Sequence, residues 1–361
     1  MRSDDDGGLY GMDSSARSPI AAATVAAAPT LDDYARHSVF SDPGPHAALL
    51  AAVPPEPAHV AAAACATVVH YRAGDPALTD DQRTDVDRRW LALTLDAAVA
   101  RQAGPLDAPR SVDRQVAGCC RDHTLFAVGV LRSHGIPARS RIGFAGYFEP
   151  PFFHDHVVVE HWAADAGHPA GGRWVRWDPE LTPEGPWDFD VHDLPTGPGS
   201  VFPTAAEVWR SIRAGEVDPA AYGVAPDLPH LGGKDFVRGY VLLELAHRMR
   251  DEVLLWDLWG PAPDIPGVAG LMASSPPGSV PLVPLDPGAW DALTDALAAL
   301  LVAADAGDAA AEETLAARYA AGLGPRGRVL TASPLGRLGV TDLRARTTSW
   351  AAGRGVAVPA D

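Results

Sequence analysis

The sequence predicts an α+β fold in which a cysteine-bearing helix packs on an antiparallel sheet, with further helices on its flanks. Three stretches carry that prediction. Residues 118–139 read GCCRDHTLFAVGVLRSHGIPAR. After Cys120, the apolar residues Leu125, Phe126, Val128, Val130 and Leu131 fall on nearly every side, the pattern of a buried helix rather than a surface amphipathic one. Ser133-His134-Gly135 supplies a polar last turn and a glycine stop, and Pro137 prevents continuation. Residues 156–162, HVVVEHW, are a strand by their run of β-branched side chains. Residues 173–178, RWVRWD, form the next strand, bounded by Gly171-Gly172 and Pro179. The small, polar, glycine-rich residues 163–172 between them suit a hairpin loop.

A thiol, an imidazole and a carboxylate in this order are the parts of a cysteine nucleophile, its base and the group that orients the base. Cys120 falls at or within a residue or two of the helix N-terminus. There the unpaired N–H groups and the positive end of the dipole favour the thiolate, and the same N–H groups can hold a developing oxyanion. If the two strands pair with Trp162 opposite Gly172, His156 stands opposite Asp178, with Cβ atoms about 4.5–5.5 Å apart. A slip of one residue would turn Asp178 to the other face.

The remaining chain sorts into segments. Residues 1–31 are rich in Asp, Gly, Ser and Ala and read as a disordered tail. The alanine-rich stretch before Ala28 follows an acidic leader, Asp4-Asp5-Asp6, unlike an export signal. Helices are expected over 46–52, 56–71 and 80–103, the last with Thr79 as N-cap. After a proline- and aspartate-rich loop at 183–198 come helices over 204–215 and 239–258. Residues 32–260 thus form one domain. A Pro/Gly-rich linker, 261–288, separates it from a helical C-terminal extension, 289–361, with helices at 289–303 and 308–321 and no clear regular structure after Arg328. No internal repeat is visible.

Cys120-Arg-Asp, then LRSHGIPAR, then His156 with Glu160 four residues on, then WVRWDP, resembles the transglutaminase-like superfamily of papain-like cysteine enzymes. The motif-bearing core spans about 118–190, with flanks at 32–260 similar to a bacterial branch. The resemblance implies a papain-like, transglutaminase-like core, with Cys120 as nucleophile, His156 as general base and acid, and Asp178 as orienter. It implies acyl transfer or hydrolysis at an amide or thioester through a thioacyl intermediate, on a protein, peptide or small-molecule substrate. Amine and water both stay open as acceptors. The chain departs from the pattern at His123-Thr124, where an aromatic and a small residue are usual, and at Val158, which replaces a common aromatic. Gln115 is a candidate amide donor to the oxyanion, and Trp174, Trp177 and Trp187 are candidate cleft walls, Trp177 among them as a substrate-contacting residue.

Plainer accounts stand beside these. Cysteines in apolar segments usually pack in cores, and Cys119 reads as such a thiol, competing with Cys120 only by adjacency. A Cys119–Cys120 disulfide would silence the site. His154, His156 and Asp178 could hold a metal, but no second His or Cys pair at a metal-ligand spacing accompanies them, and no metal or other cofactor is expected. His161, on the opposite strand face from His156, reads as structural, as does an Arg121–Asp122 ion pair. A catalytically silent scaffold of the same fold is the competing reading from another class.

Composition limits the remaining possibilities. A net charge of −17 over 361 residues argues against nucleic acid and anionic membrane as partners. Three cysteines do not make a disulfide framework. No run of eighteen or more apolar residues is present. A cytoplasmic location is the expectation; the oligomeric state is open.

Overall fold

The computed structural model describes residues 27–197, 199–261, 273, 279–283 and 285–351. The expected tail at 1–31 falls outside these residues except for its last five, and most of the expected 261–288 linker falls outside them as well.

The chain is a mixture of helix and sheet. It opens with helices α1 (Leu31–Tyr34), α2 (Ala47–Ala51) and α3 (Pro57–Thr67), followed by strand β1 (Val68–His70), helices α4 (Asp80–Asp85) and α5 (Leu91–Arg101), and strand β2 (Val116–Gly118). The expected helix over 56–71 therefore ends early. Val68 and Val69, both β-branched, leave it to pair in parallel with Val116 and Ala117. The expected 80–103 helix is two helices. Trp90 is extended between them, and Arg89 turns inward to donate to Asp257 Oδ2 and Thr331 Oγ1. Thr79 caps α4 as expected, accepting from Gln82 N in a capping box.

Next come α6 (Cys120–Ser133), β3 (Ala138–Glu149), β4 (Phe152–Ala164) and β5 (Gly172–Trp177). These strands form an antiparallel sheet in the order β3-β4-β5, and β6 (Tyr222–Gly223) adds in parallel to the start of β4. Gly135, at φ 69°, adopts the left-handed conformation that ends α6. The β4–β5 register pairs Trp162 with Trp174, two residues away from the expected pairing with Gly172. A shift of two preserves the faces, so Asp178 stays on the side of His156, now diagonal to it rather than opposite.

Helices α7 (Ala205–Ala214) and α8 (Gly233–Arg248) follow. The latter starts six residues before the expected 239 and ends well short of 258. Helices Pro287–Asp305 and Ala309–Arg318 appear close to the expected bounds, and Leu297, Leu301 and Leu315 join the same buried cluster as Phe126, Val157 and Trp177. After Arg328 the chain is not irregular. Past β7 (Asp257–Leu258), strands β8 (Gly260–Pro261) and β9 (Leu282–Val283) pair in parallel, and β10 (Arg328–Ser333), β11 (Arg337–Asp342) and β12 (Thr347–Trp350) form a meander whose β10 edge pairs with β7. No described helix is long and apolar enough to cross a membrane.

Buried charge ties the sheet together. Glu160 on β4 stands opposite Arg139 on β3 and Arg176 on β5. It accepts from Arg139 Nε at 2.8 Å and from Arg176 Nε and Nη2 at 3.0 and 2.9 Å, with Arg141 Nε 3.6 Å away. Arg141 and Arg248 continue the network to Asp305 in the helix Pro287–Asp305. Burial alone would push the Glu160 carboxyl up, but the three guanidinium groups outweigh it and hold it at about 2.

Replacing Glu160 by Gln strands these guanidinium groups and should cost about 3–5 kcal/mol in urea unfolding. Because the folded-state carboxyl is depressed, its stabilisation is complete above the ordinary glutamate value of 4.5 and is lost as pH falls toward about 2. The wild type should therefore lose stability through that window, and Glu160→Gln should show a flatter acid limb.

Candidate active site

Helix α6 opens at Cys120, with Cys119 as the extended N-cap residue. Asp122 Oδ2 accepts from Cys119 N at 2.9 Å, and its other oxygen accepts from the buried Arg121, which also donates to Arg89 O. Arg121 and Asp122 are thus spent on the helix start, as a structural ion pair. Gly118 makes room for this cap, since a Cβ there would lie 2.7 Å from Asp122 Oδ2. His123 joins the same framework: Nδ1 and Nε2 lie 3.1 Å from Cys119 O and Val68 O, tying α6 to β1. Thr124 Oγ1 donates to Val157 O at 2.8 Å, fastening α6 to β4. The departures at His123 and Thr124 therefore serve the contact between helix and sheet.

Beyond this start, β4 delivers His156 and the end of β5 delivers Asp178. His156 Nε2 lies 2.7 Å from Asp178 Oδ2. The same oxygen accepts from Tyr147 OH at 2.6 Å, and Asp178 Oδ1 accepts from Glu180 N at 2.9 Å. Ligand atoms of Cys120, His156 and Glu180 all lie within 4.8 Å of one another. With Nε2 engaged by Asp178, the Nδ1 side of the ring is left for the thiol. The site is closed: Cys120 is 3 % exposed, His156 4 % and Asp178 0 %. Phe148 and Tyr147 meet the His156 ring edge-on at 5.1 and 6.2 Å, and Trp187 and Phe189 pack behind Tyr147.

Burial shapes the electrostatics. It pushes the Cys120 thiol well above the ordinary range, and Cys119, Glu180 and Asp155 add to the effect. The helix start favours the thiolate, as expected, but the cost of burying a charge beside carboxylates is the larger effect. Burial would lower His156, yet the Asp178 carboxylate and its hydrogen bond hold the imidazolium above the ordinary value of 6.5. Asp178 is held low by His156 and by its hydrogen bonds from Tyr147 and the Glu180 amide, against the opposing effect of burial.

Other sequence candidates land elsewhere. Gln115 Nε2 donates to Cys65 O and Ala66 O at 2.6 and 3.3 Å, so its amide is committed to the end of α3 rather than to an oxyanion. Trp177 is fully buried in the main core, and its Nε1 donates to His161 Nδ1 at 3.1 Å. As the neighbour of Asp178 in the chain it takes the opposite face, so it is a core residue and not a cleft contact. Trp174 packs edge-on against Tyr34 and beneath Arg139. Of the three tryptophans, Trp187 alone belongs to the aromatic shell around Tyr147 and His156. His154 Nδ1 faces Val224 O, and the one metal-capable cluster among the described residues is Cys120, His156 and Glu180 rather than His154, His156 and Asp178. Thiolate, imidazole and carboxylate are ligand types that zinc takes. All three cysteines are free thiols, so Cys119 and Cys120 are not bridged.

Two residues escaped the sequence reading. Tyr147 lies near the far end of β3, where only its alternation with Phe148 marks it, and Glu180 lies just past the Asp-Pro step. Tyr147→Phe removes a hydrogen bond to a buried carboxylate, a loss of order 1.5–3 kcal/mol. It should lower kcat/KM at least tenfold with the circular dichroism spectrum unchanged. If the Cys120 thiol and His156 carry the chemistry, a chelator should leave turnover intact. Added zinc should suppress both turnover and iodoacetamide labelling of Cys120, reversibly.

Comparison with known proteins bears on the region just described. The transglutaminase-like superfamily model matches residues 79–179, from the α4 cap to the residue after Asp178. No curated protein matches the chain. Among solved structures, a proposed cysteine protease from Cytophaga hutchinsonii is similar at 15 % identity and a TM-score of 0.24, over 43 % of this chain and 46 % of that one. The chain thus spans less than half of that structure. The family match falls on the helix and strands that bring Cys120, His156 and Asp178 together: residues 79–179 are a domain of the transglutaminase-like superfamily.

Proposed function

We propose that this chain is a papain-like cysteine enzyme that transfers or hydrolyses an acyl group through a Cys120–His156–Asp178 triad. The observation that carries the reading is the meeting of the α6 N-terminus with β4. Cys120 Sγ and a His156 ring nitrogen lie within 4.8 Å, and His156 Nε2 is held by Asp178 Oδ2 at 2.7 Å. As the first residue of α6, Cys120 has a backbone N–H without an intrahelical partner, a donor for the tetrahedral oxyanion.

In this mechanism His156 takes the thiol proton as Cys120 Sγ attacks an amide or thioester carbonyl. The imidazolium, stabilised by Asp178, returns that proton to the leaving group. An amine or water then resolves the thioacyl enzyme. Since the thiol is held neutral at rest, ionisation waits on substrate, which displaces the aromatic cover and brings its own carbonyl to the helix start. Suitable substrates are a protein, a peptide or a small amide or thioester. Three unpaired thiols suit a reducing compartment such as the cytoplasm.

A silent scaffold of the same fold draws on one observation, the deep burial of Cys120. Alkylation separates the two readings. An enzyme thiol should be labelled in a His156-dependent manner, and labelling in the scaffold should not respond to His156→Ala.

Cys120→Ala should lower turnover by at least about 10³-fold, while Cys119→Ala retains it. Full activity in Cys120→Ala would refute the assignment. Because His156 is raised above 6.5, its base form appears only as pH climbs past that value. The kcat/KM profile should therefore rise with pH on a limb above 6.5, read from initial rates across a buffer series.

A further inference from the structure

Glu180 is the charged neighbour of the thiol and the imidazole that the triad does not use. Asp178 Oδ1 accepts from its backbone N–H, a turn that brings the Glu180 side chain back alongside His156. Its carboxylate comes within 4.8 Å of the ligand atoms of both Cys120 and His156. Oε1 is buried and has no hydrogen-bond partner. His123 Nδ1 lies 3.7 Å from it but already faces Cys119 O at 3.1 Å. An orphaned carboxylate oxygen in such a place is costly, and it works against the nucleophile by disfavouring the thiolate. Neither the fold nor the activation of Cys120 accounts for it. A hydrogen-bond donor brought by a substrate would.

Acyl transfer says where that donor sits. The leaving atom is bonded to the carbon that Cys120 Sγ attacks, and it receives its proton from His156. It therefore occupies the gap between the sulfur and the ring, and a carboxylate within 4.8 Å of both atoms borders that gap. A leaving nitrogen carries N–H groups and turns positive as it is protonated. A leaving ester oxygen carries only lone pairs, which a carboxylate repels.

We propose that Glu180 is a catalytic residue that accepts a hydrogen bond from the leaving nitrogen and so selects amides over esters and thioesters at this site. The proposal rests on the acyl-transfer reading and narrows it. In the step concerned, the C–S bond forms as the thiol proton passes to His156. The C–N bond then breaks as that proton passes to nitrogen, releasing a neutral amine and leaving the acyl group on sulfur. Glu180 takes no proton and no electrons; it stabilises the N–H groups while positive charge passes across the nitrogen.

The test uses a matched fluorogenic pair, an N-acylglycine aminomethylcoumarin amide and the methylumbelliferyl ester of the same acid, on the full chain. Acylation of Cys120 is followed by intact mass. Glu180→Gln should reduce kcat/KM for the amide at least tenfold and leave the ester unchanged or faster, since a Gln amide can donate to an ester oxygen. Glu180→Ala should show the same preference, and Cys120 alkylation in either variant should be no slower than in wild type, showing an intact thiol site. An equal loss on both substrates, or no loss on either, overturns the role of Glu180 while Cys120-dependent ester turnover keeps the acyl-transfer reading standing. Ester turnover that survives Cys120→Ala, or failure of both probes to acylate Cys120, overturns the two together.

Discussion

The carboxylate of Glu160 is the contact on which the site geometry depends. It faces Arg139 on one neighbouring strand and Arg176 on the other, and both pairs form in a single register. Buried ion pairs seldom add much net stability, yet their best attested use is to fix register. Sliding β5 by one residue would take Arg176 to the far face and leave Glu160 short of a partner. It would also carry Asp178 away from His156. The charge cluster and the proposed triad are thus two consequences of one alignment, and the first is what protects the second.

Much of this arrangement was legible in the chain. The helix start at Cys120, the strand at 156–162 and its successor ending at Asp178 were marked by β-branched runs, glycines and prolines whose local physics is nearly independent of the rest of the fold. The register differs from the expected one by two residues because β4 runs on to Ala164, which shortens the hairpin loop. The difference leaves His156 and Asp178 on one face of the sheet because side chains alternate with period two. The expected neighbours lie near one another: His156 Nε2 is 2.7 Å from Asp178 Oδ2, and ligand atoms of Cys120 and His156 are within 4.8 Å.

What was not legible depended on long-range packing. The ionisation of Cys120 could not be judged from its place at a helix end, since the opposing effects come from burial and from Glu180 and Asp155. Tyr147 reaches Asp178 across the sheet, 31 positions along the chain, and Gln115 turns to the end of α3 instead. The strands after Arg328 were missed because Arg and Thr interleave with few apolar residues, and β10 is completed by Asp257 and Leu258 from far upstream. The break at Trp90 likewise follows from Arg89 turning toward Asp257 and Thr331.

The closed resting site also bears on the lifetime of the protein. Oxidation of cysteine to sulfenic acid and beyond follows thiolate character and exposure. Cys120 at 3 % exposure, kept as a thiol by its surroundings, offers peroxide little of either. In the proposed mechanism, the burial that delays ionisation of Cys120 until substrate arrives also shields the thiol during idle time, exchanging readiness for durability.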